Sequence, residues 1–316
     1  RKIAAREFLT FASLQHCRCS VKRHITLENT SNMHQTFRLI IDCPDQVGLV
    51  ARVSQFLADH DASILEASHH TDVQTGRFFM RHEISTDSLT LSYDRFIEEF
   101  TPLANEFQMQ WKVTDSSKRQ RVALLSSVES HCLVDILHRW HTGELHCDIP
   151  CIIGNHPQMK QFADWYKVPF HWVDFKTLGK ENAFKQIEVL LDEYAIDLTV
   201  LARFMQILPD NLCSKLAGRA INIHHSFLPS FAGAKPYHQA YRRGVKLIGA
   251  TAHYVTEDLD EGPIIEQAVE RVDHRATPED LIRIGRDIEA QVLARAVSWI
   301  ADRRVLLNGG KTVVFR

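Results

Sequence analysis

The sequence lacks the two features that would direct a protein to a membrane or to nucleic acid. No apolar run approaches the roughly 18 residues that a membrane-spanning helix needs. The formal net charge of the 316 residues is −2, so there is no broad attraction to a polyanion. We therefore expect a soluble globular protein, 45% hydrophobic and 24% charged, with neither a membrane nor a nucleic acid as partner.

Several nucleotide-binding and hydrolase motifs are also missing. The chain contains no G-x-G-x-x-G and no G-x-x-x-x-G-K-[ST], the glycine-rich loops that cradle nucleotide phosphates. G-x-S-x-G and H-E-x-x-H are absent as well, which argues against a serine hydrolase and a zinc protease. The turn at 125–131, where a phosphate loop would stand, has no glycine and carries Glu129. A glutamate there would repel a phosphate at the start of the following helix.

The cysteines do not form a recognisable framework. There are seven, an odd number, scattered through apolar stretches, which is typical of reduced thiols in a reducing compartment. Cys17-x-Cys19 and Cys147-x-x-x-Cys151 lack the second pair that a structural zinc site needs. We expect no bound metal and a cytoplasmic protein.

Residues 1–32 differ in composition from the rest. They carry six Lys or Arg and two acidic residues. A basic, acid-poor segment resembles a transit peptide, which would place the protein in mitochondria. The interpretation that we favour is a leader translated upstream of a start at Met33. Under either interpretation this segment is expected to be disordered and outside the fold.

Residues 33–114 predict a small α+β domain. Alternating apolar residues indicate strands near 37–41, 62–69, 77–84 and 109–113. Apolar residues at helical spacing indicate helices over 49–57 and 93–107. The resulting order β-α-β-β-α-β is that of a ferredoxin-like sandwich.

After a polar linker at 115–120, residues 121–316 predict an α/β domain. Five short apolar runs, as buried parallel strands require, alternate with helical patterns, which indicates a Rossmann-like, doubly wound sheet. Two longer strands at 246–255 and 263–271 predict an antiparallel pair. Pro278 marks the first turn of a helix to about 301, and Asn308-Gly309-Gly310 predicts a final hairpin.

Three residues in this half carry the side chains that acyl chemistry needs. Asn222 and His224 stand two apart, so a strand would point both to one side. An amide donates a hydrogen bond to a carbonyl oxygen that gains charge, and an imidazole moves a proton near neutral pH. Asp260, inside Leu-Asp-Glu-Gly-Pro, supplies a carboxylate that would orient the imidazole or a water.

The first domain resembles ACT domains, regulatory modules that commonly bind amino acids between copies. The most specific part of the resemblance is Asp45-x-x-Gly48-Leu49 at the strand-to-helix turn. Gly48 would allow close approach to the backbone, and free amides at the helix start would suit a carboxylate. The resemblance implies an amino-acid effector at Asp45, Gly48 and Leu49 and a homo-oligomer; a purely dimerising role is the alternative.

Residues from about 120 to 315 resemble the folate-dependent formyltransferase superfamily. The resemblance is carried by Asn222-Ile223-His224-x-Ser226-x-Leu228, by His253-Tyr254-Val255-Thr256 and by Leu259-Asp260-Glu261-Gly262-Pro263. Members take 10-formyltetrahydrofolate as substrate, without a further cofactor. The resemblance implies Asn222, His224 and Asp260 as the catalytic trio.

The ACT domain in front of this core narrows the resemblance to the formyltetrahydrofolate deformylases. Ala202-Arg203-Phe204-Met205 and Ser130-His131-Cys132-Leu133 are similar to them. The implied activity is hydrolysis of 10-formyltetrahydrofolate to formate and tetrahydrofolate, which would supply formate for purine synthesis and balance one-carbon pools. The alternative is transfer of the formyl group to an amine acceptor; a catalytically inactive amino-acid sensor is a remoter one.

The resemblance also implies a substrate-binding surface. In such enzymes two segments supply backbone hydrogen bonds and an apolar wall for the pterin. His253 is expected to support Asp260. The two segments correspond here to Met205, Gln206, Ile207 and Leu208, and to Thr256, Glu257, Asp258 and Leu259.

Overall fold

The computed structural model describes residues 35–228 and 236–316. These residues belong to one compact unit. The leader or transit segment expected at 1–32 lies outside the described residues.

The first part of the chain forms an α+β sandwich. A four-stranded antiparallel sheet has the order β2-β3-β1-β4, and two helices cover one face, as the alternation of apolar residues predicted. Phe37, Phe96 and Phe100 are buried between sheet and helices. The elements are β1 Thr36–Pro44, α1 Leu49–Asp59, β2 Ile64–Asp72, β3 Arg77–Ser85, α2 Tyr93–Glu106 and β4 Gln110–Asp115.

Four residues, 116–119, connect this sandwich to the second part, an α/β fold. Its strands and helices alternate in the predicted order. They are β5 Gln120–Ser126, α3 His131–His141, β6 Cys147–Gly154, a 3-10 turn Pro157–Met159, α4 Lys160–Tyr166, β7 Phe170–Trp172, α5 Phe175–Glu193, β8 Leu198–Ala202, α6 Asp210–Lys215, β9 Ala220–His224, α7 Pro236–Arg243, β10 Leu247–Tyr254, β11 Ile264–Arg271, α8 Pro278–Ala301, β12 Val305–Asn308 and β13 Lys311–Val314.

The central sheet has seven strands in the order β11-β10-β9-β8-β5-β6-β7. The five strands from β9 to β7 are parallel, and the central strands β5 and β8 are almost fully buried, as expected where helices cover both faces of a parallel sheet. β10 pairs antiparallel with β9 and with β11, which confirms the predicted pair. The chain adds strands first on one side of β5 and then, through β8, on the other, so the order reverses between β5 and β8.

Two helices show how local sequence sets their ends. α8 begins at Pro278 behind Thr277, whose hydroxyl caps Asp280 N while the Asp280 carboxylate accepts from Thr277 N, a capping box. The sequence has a helical pattern over 181–194, but α5 begins earlier, because a first turn over 175–178 precedes a break at Gly179 with φ of 74°. Only glycine adopts that conformation readily, so the helix restarts there.

The final hairpin connects the two folds. Asn308 and Lys311 donate to Asp72 at the end of β2, at 2.7 and 3.1 Å. On the other side, the Thr312 hydroxyl donates to the Ile264 carbonyl of β11. Leu306 and Phe315 pack against Phe79 of β3, and all three are buried. The hairpin therefore contacts the first sheet and an edge strand of the second.

None of the helices in residues 35–228 and 236–316 combines the length and apolar character needed to cross a bilayer. The five cysteines in these ranges are buried and unpaired. Burial raises the pKa of Cys147 and Cys151 to about 12, so both remain protonated thiols near neutral pH.

Candidate active site

The end of β9 places two of the predicted residues at the carboxyl edge of the sheet. Ile221 and Ile223 are buried, whereas Asn222 and His224 are partly exposed, as the two-residue period of a strand requires. Asn222 lies opposite Leu201 of β8 and opposite His253 of β10. Ligands of open α/β sheets bind outside this edge.

Asp260 reaches the same place from the turn between β10 and β11. Its backbone adopts a left-handed conformation, with φ of 60°, which an aspartate tolerates better than most residues. Gly262, two residues later, lies so close to the Tyr254 carbonyl that any side chain there would overlap it. The turn is therefore folded tightly against β10, and this brings the Asp260 carboxylate over β9.

Asp260 and His224 form the central pair of the site. Asp260 Oδ2 lies 3.1 Å from His224 Nδ1, and their side chains are 26% and 12% exposed. Hydrogen bonds from His224 and then His253 hold the pKa of Asp260 well below its usual range, against the effect of burial. Because Nδ1 donates to the carboxylate, Nε2 is the nitrogen left for chemistry. It is buried and has no hydrogen-bond partner among the described residues.

His253 supports both Asn222 and Asp260. Its Nδ1 lies 2.9 Å from the Tyr254 carbonyl, and a carbonyl only accepts, so Nδ1 carries a proton. Nε2 lies 3.3 Å from Asn222 Nδ2 and 3.6 Å from Asp260 Oδ1. Nε2 serves one of these partners at a time: in the neutral tautomer it accepts from one amide hydrogen of Asn222 and leaves the second for another acceptor, and in the imidazolium form it donates to Asp260.

A second imidazole, which the sequence did not single out, adjoins the pair. The ring of His225 stacks on that of His224, with centroids 4.9 Å apart. Burial, followed by the positive charges of Arg203 and His224, lowers the pKa of His225 to about 4. His225 is therefore neutral at physiological pH and packs beside His224 without adding charge.

Behind His225 lies a buried carboxylate cluster. Glu289 of α8, 1% exposed, accepts from His131 Nε2 at 2.8 Å and from the Tyr237 hydroxyl at 2.6 Å. Arg203 Nε is 3.3 Å from the same carboxylate. Burial alone would raise the pKa of Glu289, but the His131 hydrogen bond, the Arg203 charge and the Tyr237 hydroxyl outweigh it and lower the pKa.

His131, Cys132 and Glu289 bring their ligand atoms within 4.8 Å of one another, close enough for a cation. Two features of the surroundings disfavour one. Both Glu289 oxygens already bind donors, one of them facing a guanidinium. Burial raises the pKa of the Cys132 thiol well above its ordinary value, which opposes the thiolate that a metal prefers.

The two predicted substrate-binding segments flank a common apolar cluster. Val255, just before Thr256, packs against the cluster that contains Phe204 and Leu208. Met205, Ile207 and Leu259 are 60%, 63% and 61% exposed, so both segments present apolar side chains to solvent. Leu208 differs, since its side chain is buried in the core. Gln206 is partly exposed, and Thr256, Glu257 and Asp258 are exposed, with Thr256 bonded to the Asp258 carbonyl.

The predicted effector residues lie at the start of α1. Gly48 precedes the helix in a left-handed conformation with φ of 94° and with open space where a side chain would stand. Asp45 is exposed, and its amide donates to the Gly76 carbonyl at 2.8 Å. Leu49 faces the core, so only its backbone is available to a ligand.

One feature of the sequence pointed to the buried cluster. Leu281, Ile288, Val292 and Val297 form the buried face of α8, and Glu289 lies on that face. A carboxylate among buried helix positions needs a paired donor, so Glu289 could have been marked. Its partners come from three distant elements, which no spacing reveals.

Two known families match the chain, one for each of the two folds. The formyl transferase family matches residues 120–297, from the first strand of the α/β sheet to the last turns of α8. The ACT domain family matches residues 37–95, most of the first sandwich. Both matches agree with the resemblances that the motifs indicated.

Three individual proteins illustrate the similarity. A formyltetrahydrofolate deformylase of Bacillus subtilis is 48% identical over 280 residues, which cover 88% of this chain and 93% of that protein. The crystal structure of a deformylase from Pseudomonas syringae is 55% identical, with a TM-score of 0.88, and covers 91% of this chain and 96% of that one. Glycinamide ribonucleotide transformylase 1 of Symbiobacterium toebii is 28% identical with a TM-score of 0.60, and covers 63% of this chain and 95% of its own. The match over nearly the whole length is with the deformylases, and the chain belongs to the formyltetrahydrofolate deformylase family.

Proposed function

We propose that this chain hydrolyses 10-formyltetrahydrofolate to formate and tetrahydrofolate at Asn222, His224 and Asp260. One observation carries the proposal. Three elements, β9, β10 and the turn after β10, bring an amide, an imidazole and an ionised carboxylate together, and they leave His224 Nε2 without a partner among the described residues. This set can activate water and stabilise an oxyanion without a covalent intermediate. The high similarity to formyltetrahydrofolate deformylases supports the substrate.

The reaction begins with attack of water on the formyl carbon. His224 takes a proton from the water through Nε2, while Nδ1 stays hydrogen-bonded to Asp260, which stabilises the imidazolium. The second amide hydrogen of Asn222 donates to the formyl oxygen as it becomes an oxyanion. One such donor typically contributes about 3–4 kcal/mol to the transition state.

Collapse of the tetrahedral intermediate breaks the bond between the formyl carbon and N10. His224 returns its proton to N10, so tetrahydrofolate leaves as a neutral amine and formic acid ionises in water. No charge accumulates on the protein over the cycle. Asp260 remains a carboxylate throughout, as its low pKa favours.

The pterin is placed against the exposed apolar residues beside the catalytic turn. Met205, Ile207 and Leu259 offer an apolar wall, and the backbone of Gln206, Leu208 and residues 256–258 offers hydrogen bonds. Burying such a wall on substrate binding stabilises the complex by roughly 25 cal/mol per Å² of apolar surface.

The ACT domain suggests control by a small molecule. An amino acid linked to one-carbon supply, bound near Asp45 and the amides after Gly48, is the effector that we propose, with a homo-oligomer as the working form. In this role the enzyme would supply formate for purine synthesis and balance one-carbon pools.

Formate release from 10-formyltetrahydrofolate tests the activity. The purified chain, mixed with substrate in buffer without any amine acceptor, should release one formate per tetrahydrofolate. A parallel reaction with an amine acceptor should give the same formate yield. If the rate of formate release does not increase with enzyme concentration, or if the formyl group moves to the amine, hydrolysis is not the function.

A further inference from the structure

Three polar side chains stand in a row across the strands that carry the candidate site. His224 of β9 lies opposite Thr251 of β10, and Thr251 lies opposite Gln267 of β11. Directly opposed residues of antiparallel strands project to the same face of a sheet, so the three side chains share one face. Thr251 is 0% exposed and lies between the buried Ala250 and Ala252. A hydroxyl buried in this way needs hydrogen-bond partners.

The partners of Thr251 come from the chain that follows His224 and from the next strand. Its hydroxyl donates to the Ser226 carbonyl at 2.9 Å and accepts from the Leu228 amide at 3.1 Å. Nε2 of Gln267 donates to the Leu228 carbonyl and to the Thr251 hydroxyl, both at 3.0 Å. The one hydrogen and both lone pairs of the hydroxyl are therefore used. Thr251 and Gln267 together form a clamp on residues 226–228.

The clamp directs the chain back over the sheet directly after His224. β9 ends at His224, and two residues later the Ser226 carbonyl is bound to the neighbouring strand. Gly249, two positions before Thr251 and hence on the same face, leaves room for this course. A Cβ atom at Gly249 would lie 3.3 Å from Cβ of Phe227. The chain after His224 is thus fastened to β10 and β11.

Fastening this segment also fixes the imidazole of His224. His224 is the last residue of its strand, and its side chain is held by the contact of Nδ1 with Asp260 Oδ2 at 3.1 Å and by the stacked ring of His225. His225 lies between His224 and the first clamped carbonyl, so a shift of the clamped segment would move both rings. A displacement of about 1 Å at a reacting group can lower a rate by about 100-fold.

We propose that Thr251 and Gln267 are positioning residues for His224, which hold its imidazole in hydrogen-bond contact with Asp260. The inference rests on the proposed hydrolysis and adds two side chains on which its rate depends. Among the described residues, the clamp binds the chain at 226–228 and neither of the two predicted substrate-binding segments. It should therefore affect kcat more than KM.

Thr251→Val tests the clamp at its centre. The substitution keeps the shape of the side chain but removes the hydroxyl, which leaves the Ser226 carbonyl and the Leu228 amide without that partner. We expect kcat for formate release to fall by about 10-fold to 100-fold, with KM within about twofold of the wild-type value. Thr251→Ser retains the hydroxyl and should recover most of the lost kcat. Gln267→Met removes the two outer donors and should give a smaller fall in kcat.

The Nδ1 proton of His224 provides a second readout that does not need turnover. In protein labelled with 15N at histidine, the exchange of this proton with water reports how firmly Nδ1 is bound to Asp260. The free energy of one hydrogen bond corresponds to about tenfold, so exchange in Thr251→Val should be about tenfold faster than in the wild type. Exchange in Thr251→Ser should equal that of the wild type.

Thr199→Val is the matched control. Thr199 is another buried threonine of the same sheet, and its hydroxyl has no hydrogen-bond partner among the described residues. The substitution should change neither kcat nor the exchange rate. Urea unfolding of every variant measures the loss of stability, and kinetics are compared where each variant is fully folded.

Unchanged kcat in Thr251→Val overturns the proposal, as does a fall in kcat without faster Nδ1 exchange, or a change confined to KM. An equal fall in Thr199→Val overturns it as well, because the effect would then belong to any buried threonine. If Thr251→Val folds poorly, Gln267→Met, at a partly exposed position of the edge strand, gives the same comparison. If the wild type released no formate, hydrolysis would fail as the function, while the exchange rates would still show whether the clamp holds His224.

Discussion

Two carboxylates near the end of the parallel strands have similar partners but opposite settings. Asp260 faces the imidazoles of His224 and His253, and Glu289 faces His131 and Arg203. Asp260 lies in a tight turn and is 26% exposed, whereas Glu289 lies inside a 24-residue helix and is 1% exposed.

The difference lies in how far each carboxylate is enclosed. Around Glu289, His131 and the hydroxyl of Tyr237 give each carboxylate oxygen a hydrogen-bond partner, and the side chain is 1% exposed. Around Asp260, which is 26% exposed, the amide of Asn222 and Nε2 of His224 keep capacity for a further partner. Similar residue types therefore serve structure where the carboxylate is enclosed, and chemistry where it is partly open.

The largest expected effect is on turnover, from Asp260→Asn. An amide cannot stabilise the imidazolium of His224, so we expect kcat to fall by about 10³-fold to 10⁴-fold. The Tm should stay within about 2 °C, because the turn is partly exposed. Formate release and a thermal scan measure both, and the adjacent exposed Glu261→Gln is the control. Near-normal turnover in Asp260→Asn would contradict the assigned role.

The second effect concerns how the free energy of unfolding changes with pH. It comes from His225, whose ring stacks on His224 and whose charge is influenced by Arg203 and Glu289. Its pKa is about 4 in the folded chain and about 6.5 when unfolded. The unfolded state therefore binds the proton first, and the stabilisation present above pH 6.5 is lost as pH falls towards 4, by at most about 3 kcal/mol.

His225→Gln should remove this share of the slope of the free energy of unfolding against pH. Urea unfolding curves taken between pH 7 and 4 measure that slope. The exposed His274→Gln should leave the slope as it is. The low pKa values of Asp260 and Glu289 act in the same direction but at lower pH: their stabilisation persists to about pH 4 and is lost as pH falls below it. An unchanged slope in His225→Gln would show that His225 titrates normally in the folded chain.

The smallest effect is expected from His253→Gln. Loss of the imidazole leaves Asn222 without its acceptor and Asp260 with one partner, and one hydrogen bond of this kind corresponds to about tenfold in kcat. KM should change little, because His253 is 3% exposed at its side chain and does not face the apolar wall. Steady-state formate kinetics, with His274→Gln as control, measure the split. A change confined to KM would place His253 at the substrate instead.

The sequence predicted what depends on local periodicity and on contiguous motifs. Alternation in β1, the helical stripe of α2 and the start of α8 near Pro278 are short-range features, and the structure places them as expected. Asn222, His224 and Asp260 were named because their motif is nearly contiguous and resembles a family.

What the sequence did not reveal depends on tertiary convergence or on backbone strain. The first turn of α5, residues 175–178, lies before the break at Gly179 and is too short to show a helical period in the sequence. Leu208 was predicted at the substrate surface, and the turn after β8 directs its side chain inwards, so the predicted role is left to its backbone. The Glu289 cluster joins residues up to 158 positions apart, and such pairings are fixed only by the assembled sheet.

The hairpin of β12 and β13 joins the first sheet to the neighbourhood of the catalytic turn. It holds Asp72 of the first sheet through Asn308 and Lys311, and it holds Ile264 through Thr312, four residues from Asp260. The hairpin thus forms a continuous hydrogen-bonded link between the end of β2 and the strand that follows the catalytic turn, and a displacement at Asp72 would be transmitted to that strand through the last dozen residues.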